Sequence, residues 1–198
     1  MGEKMPDMDT VTDDRAQVLD AADSLFYDHG IQAVGMDRIR DAARVPLKRL
    51  YRVFPSKAEL VEAYLRRRDV RAREALRAHT DRYAVPEERV LAVFDWLHGW
   101  YSLPEFRGCP FSNAFGELGR DSEPVARAVR DHMTAVRDHL YTLAAETTAP
   151  DPGSLARQLH NLVAGATMLA AIHDTPESAL HARESARVLL DALPTRSG

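Results

Sequence analysis

The stretch from Met36 to Lys57 constrains the fold more than any other part of this sequence. It reads MDRIRDAARVPLKRLYRVFPSK, with apolar residues at helical spacing on both sides of a short break at Arg44–Pro46. This spacing predicts two short helices, over residues 36–43 and 47–53, that are joined by a tight turn. Two helices joined in this way form a helix-turn-helix unit.

The second helix of this unit carries a basic face. Lys48, Arg49 and Arg52 lie on the side that the apolar residues of the helix do not use. Seven basic and two acidic residues fall between Asp37 and Lys57, a local excess of five positive charges in a chain whose net charge is −4. A short basic helix after a tight turn fits the major groove of DNA, and we predict that Arg49 contacts a guanine edge through two hydrogen bonds. An ordinary solvated basic face is the alternative.

The same stretch resembles a known family. The segment GIQAVGMDRIRDAARVPLKRLYRVFPSKAEL is similar to the DNA-binding domain of TetR-family transcriptional regulators, and the similarity extends over residues 14–64. Leu50, Tyr51, Phe54 and Lys57 stand at positions of the family pattern. The resemblance implies that Tyr51 and Lys57 contact backbone phosphates, which set the register on DNA rather than read its sequence.

Three residues at the ends of the two short helices depart from the family pattern. Gly35 and Pro46 replace the usual Ser or Thr N-caps, and Arg44 replaces the usual Gly after the first helix. In a left-handed conformation, Arg44 costs about 1 kcal/mol relative to glycine. The departures leave the predicted fold intact and bear on which backbone contacts position the domain on DNA. The predicted DNA-binding residues are Met36, Arg38, Pro46, Leu47, Lys48, Arg49, Tyr51, Arg52 and Lys57.

The remaining sequence also predicts helices and no strand. Apolar spacing and end signals predict further helices over residues 13–29, 57–83, 86–103, 110–119, 123–147, 154–173 and 177–192. Thr12 is the expected N-cap of the first helix, and Ser56 with Glu59 forms a capping-box pattern at the fourth. The nine helices match the TetR-family plan, so we expect an all-α fold with an N-terminal three-helix helix-turn-helix domain and a larger C-terminal domain.

The sequence predicts three divisions along the chain. Residues 1–11 are expected to be a disordered arm, residues 12–56 the DNA-binding domain, and residues 57–198 a ligand-binding and dimerisation domain. The basic middle of the fourth helix is an exposed surface or a flanking phosphate contact.

Aromatic residues concentrate in the predicted fifth to seventh helices. Aromatic side chains at helical spacing usually form core, whereas the family resemblance implies a small-molecule pocket in this domain, mostly apolar with a few polar groups. The predicted pocket residues are Trp96, Trp100, Tyr101, Phe106, Cys109, Phe111, Asn113, Phe115, His132, Met133 and Val136.

The eighth helix is apolar on nearly all sides, so most of its surface must be buried. An intramolecular core alone would explain this pattern. The family resemblance implies instead that the last two helices pair with their copies in a homodimer, whose two heads read half-sites about 34–36 Å apart. The predicted dimer-interface residues are Leu155, Gln158, Leu159, Leu162, Ala166, Leu169, Val188 and Leu189.

Composition narrows the classes of protein to which this chain can belong. The chain has 198 residues, of which 45% are hydrophobic and 28% charged, as in ordinary globular proteins. No apolar run approaches the roughly 18 residues of a membrane span, and the N-terminus has no signal-peptide core, so we expect a cytoplasmic protein. The single cysteine and the histidine spacing predict no metal site and no cofactor.

We therefore expect a ligand-responsive transcriptional regulator that binds double-stranded operator DNA at a specific sequence. The predicted mechanism is a homodimeric repressor that a small-molecule effector releases from a palindromic operator. An enzyme that uses Cys109 or a histidine is a second hypothesis, although no catalytic motif supports it. Cys109 at a helix start is either a reactive thiol or a small buried hydrophobe. A helical regulator that has lost DNA binding is the third hypothesis.

Overall fold

A computed structural model of the chain describes residues 8–194, with side chains from residue 12 onward. Within this range the chain forms nine helices and no strand, which confirms the predicted all-α fold. The helices are α1 (Met8–His29), α2 (Met36–Ala43), α3 (Leu47–Val53), α4 (Lys57–Thr80), α5 (Pro86–Tyr101), α6 (Pro110–Leu118), α7 (Glu123–Glu146), α8 (Pro152–His173) and α9 (Glu177–Asp191). None of the helices in the described part of the chain has both the length and the apolar character of a membrane span.

The start of α1 differs from the prediction. α1 begins at Met8 rather than at residue 13, so Thr12 lies inside the helix and is not its N-cap. The reason is that no proline or glycine interrupts the chain between Met8 and Asp14. Residues 8–11 of the predicted disordered arm are therefore helical, and residues 1–7 lie outside the described residues.

The first of two compact units contains the chain up to Arg68 together with Pro110–Val129. In this unit α1 packs against both α2 and α3. The fully buried residues of this unit include Val18, Ala22, Ile39, Leu50, Leu60 and Val61. This packing fixes the orientation of α3, which buries Leu50 and Val53 and leaves Leu47, Lys48, Tyr51 and Arg52 exposed.

α6 belongs to the same unit and contacts the turn after α1. The Glu117 carboxylate accepts hydrogen bonds from the backbone N–H groups of Ile31 at 3.0 Å and Gln32 at 2.7 Å. The Gln32 side chain returns a hydrogen bond to the Glu117 carbonyl at 2.6 Å. These bonds satisfy amides that no helix pairs, so they hold the turn that leads into α2.

The second unit contains Asp69–Cys109 and the chain from Arg130 onward. α9 packs against α5 and α8, and their apolar faces form one core around Phe94, Leu97 and Leu159. The compact units differ from the predicted divisions, because the first unit continues to Arg68 and includes α6. The functional boundary at residue 56 stays a prediction.

Candidate nucleic-acid interface

The turn between α2 and α3 sets the position of the candidate DNA-reading helix. Arg44 is the C-cap of α2 and has the left-handed conformation, with φ 54° and ψ 32°. Pro46 is the N-cap of α3, and its carbonyl accepts hydrogen bonds from the N–H groups of Arg49 at 2.8 Å and Leu50 at 3.0 Å. Val45 is buried, so the turn is anchored on the core while Pro46 and the start of α3 stay exposed.

Most of the predicted DNA-binding residues lie at the surface. Leu47 and Tyr51 are 38% and 44% exposed. Arg38, Pro46, Lys48 and Arg52 are also exposed, whereas Met36, Arg49 and Lys57 are half-buried. The surface formed by α3 and these flanking residues is called the α3 surface below.

Lys57 begins α4, where a capping bond fixes the helix start. The Ser56 hydroxyl oxygen accepts a hydrogen bond from the Glu59 N–H at 3.2 Å, which confirms Ser56 as the predicted N-cap. Partial burial lowers the pKa of Lys57, and the nearby Glu117 carboxylate opposes that shift. The Lys57 ammonium group belongs to the first residue of α4, and the dipole of this helix favours anions at the same end.

Arg49 is paired within the protein, which the sequence reasoning missed. Its Nε donates a hydrogen bond to the Asp14 carboxylate of α1 at 2.7 Å, and its Nη2 contacts the other carboxylate oxygen. The hydrogen bond to Asp14 raises the pKa of the Arg49 guanidinium above its ordinary value. Asp14 stands four residues before the buried Val18, on the same helical face. A carboxylate on a buried face was therefore the available signal, because such a group needs a basic partner.

Two family models match this chain. The model described as bacterial regulatory proteins, tetR family, matches residues 18–64, which include α2 and α3. The model described as tetracyclin repressor-like, C-terminal domain, matches residues 86–186, which is more than half of the chain. The chain belongs to the TetR family. It is therefore a DNA-binding transcriptional regulator and not an enzyme.

Known relatives agree with this assignment and differ in sequence identity and in the share of the chain that they cover. The chain is 32% identical to a TetR-family transcriptional regulator from Streptomyces coelicolor, with a TM-score of 0.82 over 90% of this chain and 96% of that one. It is 41% identical over 87 residues to the HTH-type transcriptional activator FasR of Mycolicibacterium smegmatis, a match that spans 42% of this chain and 40% of FasR. The reduced form of E. coli NemR, at 22% identity and a TM-score of 0.81 over 92% of this chain and all of that one, shows the same fold.

The predicted pocket residues of this TetR-family regulator are divided between the two compact units. Phe111, Asn113 and Phe115 belong to α6 in the first unit, where Phe111 is buried and the other two side chains are exposed. The eight other residues belong to the second unit. The predicted set therefore does not come together as one site within either unit.

Four aromatic residues of the predicted pocket pack on one another. Trp100 contacts Trp96, Tyr101 and Phe106 with ring-centroid distances of 5.7, 5.6 and 5.1 Å. The Tyr101 hydroxyl lies 2.6 Å from the Thr167 hydroxyl, and burial raises the pKa of Tyr101 although that hydrogen bond opposes the shift. These rings form part of the core, which was the alternative prediction, and a ligand-lining role for them stays a prediction.

The polar members of the predicted pocket have different surroundings. His132 is buried, and its Nδ1 lies 2.8 Å from the Asp69 carboxylate, which also accepts two hydrogen bonds from Arg73. Burial lowers the pKa of His132, while Asp69 opposes the shift. Cys109 and Met133 are half-buried. In the part of the chain that the structure describes, no group of three His, Cys, Asp or Glu residues is arranged to hold a metal.

A separate cavity of about 440 Å³ lies between α4, α5 and α7 in the second unit. Leu76, Val136 and Leu143 supply apolar walls, and Arg77 and His139 supply polar ones. Val136 is the one predicted pocket residue that lines this cavity. The Nε2 atom of His139 is buried and has no hydrogen-bond partner among the described residues.

The predicted dimer-interface residues separate into buried and exposed groups. Leu155, Leu159 and Ala166 are no more than 4% exposed inside the core of this protomer, and a role for them in an interface stays a prediction. Leu162 and Leu189 are half-buried against that core. Gln158, Leu169 and Val188 are exposed, and so are three apolar residues that sequence reasoning missed: Met168, Ile172 and Leu180.

Proposed function

We propose that this TetR-family chain is a ligand-responsive repressor that binds a palindromic operator as a homodimer and is released by a small-molecule effector. The α3 surface is the observation that carries the proposal. It combines exposed cations at Lys48 and Arg52 with an exposed Tyr51 on a short helix after a tight turn. Cations that neutralise phosphates supply affinity, and side chains at the base edges supply sequence preference. Since such an operator lies on the bacterial chromosome, we propose a cytoplasmic location.

The apolar residues that α8 and α9 leave exposed support a homodimer. Met168, Leu169 and Ile172 on α8 are 59%, 44% and 66% exposed, and Val188 on α9 is 68% exposed. Apolar patches of this kind mark protein interfaces. A second copy of the same face would cover them and would bring a second α3 surface, which one short helix needs for tight and specific binding.

The cavity between α4, α5 and α7 supports an effector site. Its volume of about 440 Å³ lies within the roughly 300–1,000 Å³ of small-molecule pockets, and it joins apolar walls to a few polar groups. An effector that binds one conformation of the regulator better than another shifts the populations by that difference in affinity. Release from DNA requires that the favoured conformation spaces the two α3 surfaces wrongly for the operator.

Selection of duplexes from a randomised DNA library, followed by mobility shift with the selected site, tests the proposal. We expect binding to a palindromic site that weakens steeply with salt, because phosphate contacts release counterions. Lys48→Ala should weaken binding to all duplexes alike, whereas Val85→Ala, at an exposed position outside the α3 surface, should leave it unchanged. A metabolite panel added to the complex identifies the effector by release. Binding with no sequence preference would contradict the proposal.

Activation is the second candidate function, and the match to a relative named as a transcriptional activator favours it. A reporter assay with the selected site separates the two. Lower expression when the site overlaps the promoter supports the repressor. Higher expression when the site lies upstream of the promoter supports the activator.

A further inference from the structure

Arg49 of α3 is held by a carboxylate from a different helix. Asp14 of α1 is 1% exposed, and it accepts hydrogen bonds from both the Nε and the Nη2 of Arg49. The Nη2 of Arg52 lies 3.5 Å from the same carboxylate. A carboxylate this deeply buried destabilises the protein unless a cation compensates it, so the folded chain keeps Arg49 in this position.

The pairing uses only one edge of the Arg49 guanidinium. A guanidinium carries five N–H donors in a planar fork, and Asp14 takes the donors on the Nε edge. The outer edge, formed by Nη1 and the second hydrogen of Nη2, is not needed for this pairing. The Arg49 side chain remains 38% exposed. Two donors on the outer edge match the O6 and N7 acceptors of guanine in the major groove.

We propose that Asp14 is a positioning residue that determines DNA sequence preference. It holds Arg49 by the Nε edge and thereby presents the Nη1–Nη2 edge to a guanine of each half-site, without touching DNA itself. The inference rests on the proposed function, because it requires that the α3 surface reads DNA.

The physical advantage of this arrangement is preorganisation. An unrestrained arginine loses rotamer freedom when it binds, and its charge reaches a phosphate as readily as a base. Arg49 has already lost that freedom in the folded protein, because two hydrogen bonds to a buried group hold it. Its remaining donors are directed at one pattern of acceptors, which raises the preference for the correct base.

Positioning and simple electrostatics predict opposite results for Asp14→Asn. Removal of a negative charge near the α3 surface would tighten binding to every duplex if charge were the only effect. Loss of positioning would instead weaken binding to the preferred site. Asp20→Asn is the matched control, because it makes the same charge change on α1 at a residue that pairs with Arg67 and not with Arg49.

The experiment compares base preferences of the full-length protein. The wild type, Asp14→Asn, Arg49→Ala and Asp20→Asn each select duplexes from the same randomised library at one salt concentration. We expect Arg49→Ala and Asp14→Asn to lose at least about fivefold of the preference for guanine at the same base pair. Asp20→Asn should keep that preference. The double variant Asp14→Asn/Arg49→Ala should lose no more than Arg49→Ala alone, since both changes remove one interaction.

The outcomes separate the inference from the proposed function. If Asp14→Asn keeps the preference that Arg49→Ala loses, the inference is overturned and the proposed function stands. If Arg49→Ala keeps the preference too, Arg49 does not read the base and the inference is also overturned. If the wild type selects no duplex, the proposed function itself fails.

A second measurement covers the case in which Asp14→Asn does not fold, which thermal unfolding detects. A crystal structure of the wild type with its selected duplex should show the Arg49 Nε still bonded to Asp14 while Nη1 and Nη2 face a guanine. An Arg49 that has left Asp14, or that contacts only a phosphate, would overturn the inference.

Discussion

Arg44 shows the cost that a single backbone conformation imposes on the helix-turn-helix unit. Its φ of 54° lies in the left-handed region, which side chains with a Cβ occupy at a cost. The turn requires this conformation, because the N–H groups of Arg44 and Val45 then donate hydrogen bonds to the carbonyls of Asp41 and Arg40. An arginine thus occupies a position at which glycine would be less strained.

Arg44→Gly should raise the free energy of unfolding by about 1 kcal/mol, because glycine adopts this φ without strain. Urea denaturation of both proteins measures the difference. Arg44→Ala is the control, since it removes the charge and keeps the Cβ, and it should give no comparable gain. Equal stability of the glycine and alanine variants would show that the backbone conformation is not the cause.

At the scale of the element, Glu117 connects α6 to the turn after α1. Glu117→Gln should lower the free energy of unfolding by about 1–2 kcal/mol, because the amide keeps one acceptor and turns a donor toward a backbone N–H. Thermal and urea unfolding measure the loss. Glu105→Gln, in the exposed loop before α6, makes the same chemical change and should have no effect. Similar losses in both variants would exclude the hydrogen bonds as the cause.

His139 makes the packing of α7 sensitive to pH. Burial lowers the pKa of His139 below its ordinary 6.5, Arg77 and Arg89 lower it further, and Asp81 and Glu146 oppose them. The unfolded chain therefore binds a proton at a higher pH than the folded chain does. The stabilisation is complete above the unfolded value and is lost as the pH falls through the folded value.

His139→Gln should flatten the dependence of the free energy of unfolding on pH in the range below about 6.5. Urea denaturation at a series of pH values measures the slope. His181→Gln, at an exposed position of α9, serves as the control and should keep the wild-type slope. A slope unchanged by His139→Gln would assign the pH dependence to other groups.

The elements were more predictable from the sequence than the contacts between them. α2 and α3 have their predicted bounds because Gly35, Pro46 and the positions of the apolar residues mark both ends. The pairing of Asp14 with Arg49 joins residues 35 positions apart, and no local pattern specifies it. α8 is apolar on nearly all sides, so its spacing does not show which side faces the protomer's own core, where Leu159 is fully buried.

At the scale of the whole molecule, the exposed apolar residues of α8 and α9 predict the oligomeric state. Ile172→Glu should raise the dissociation constant of the proposed dimer by roughly 100-fold or more, because it buries an unpaired charge in the interface. Sedimentation equilibrium measures this change. Operator affinity should fall as well, since the two α3 surfaces are no longer linked.

Val85→Glu is the matched control for that prediction. Val85 is also a large apolar residue and is 46% exposed, but it lies outside α8 and α9. This variant should keep the wild-type sedimentation behaviour and operator affinity. A monomeric wild type, or a dimer that Ile172→Glu leaves intact, would show that another surface joins the protomers.

The pairing of α1 with α3 has a consequence for protein engineering. A chimaera that receives only residues 47–53 from this protein acquires the arginine without the carboxylate that orients it, and we expect it to discriminate poorly between operators. Transfer of residues 14–53 as one block keeps both partners. By the same reasoning, we expect a substitution at position 14 during evolution to weaken the choice between operators while every residue of the α3 surface stays the same.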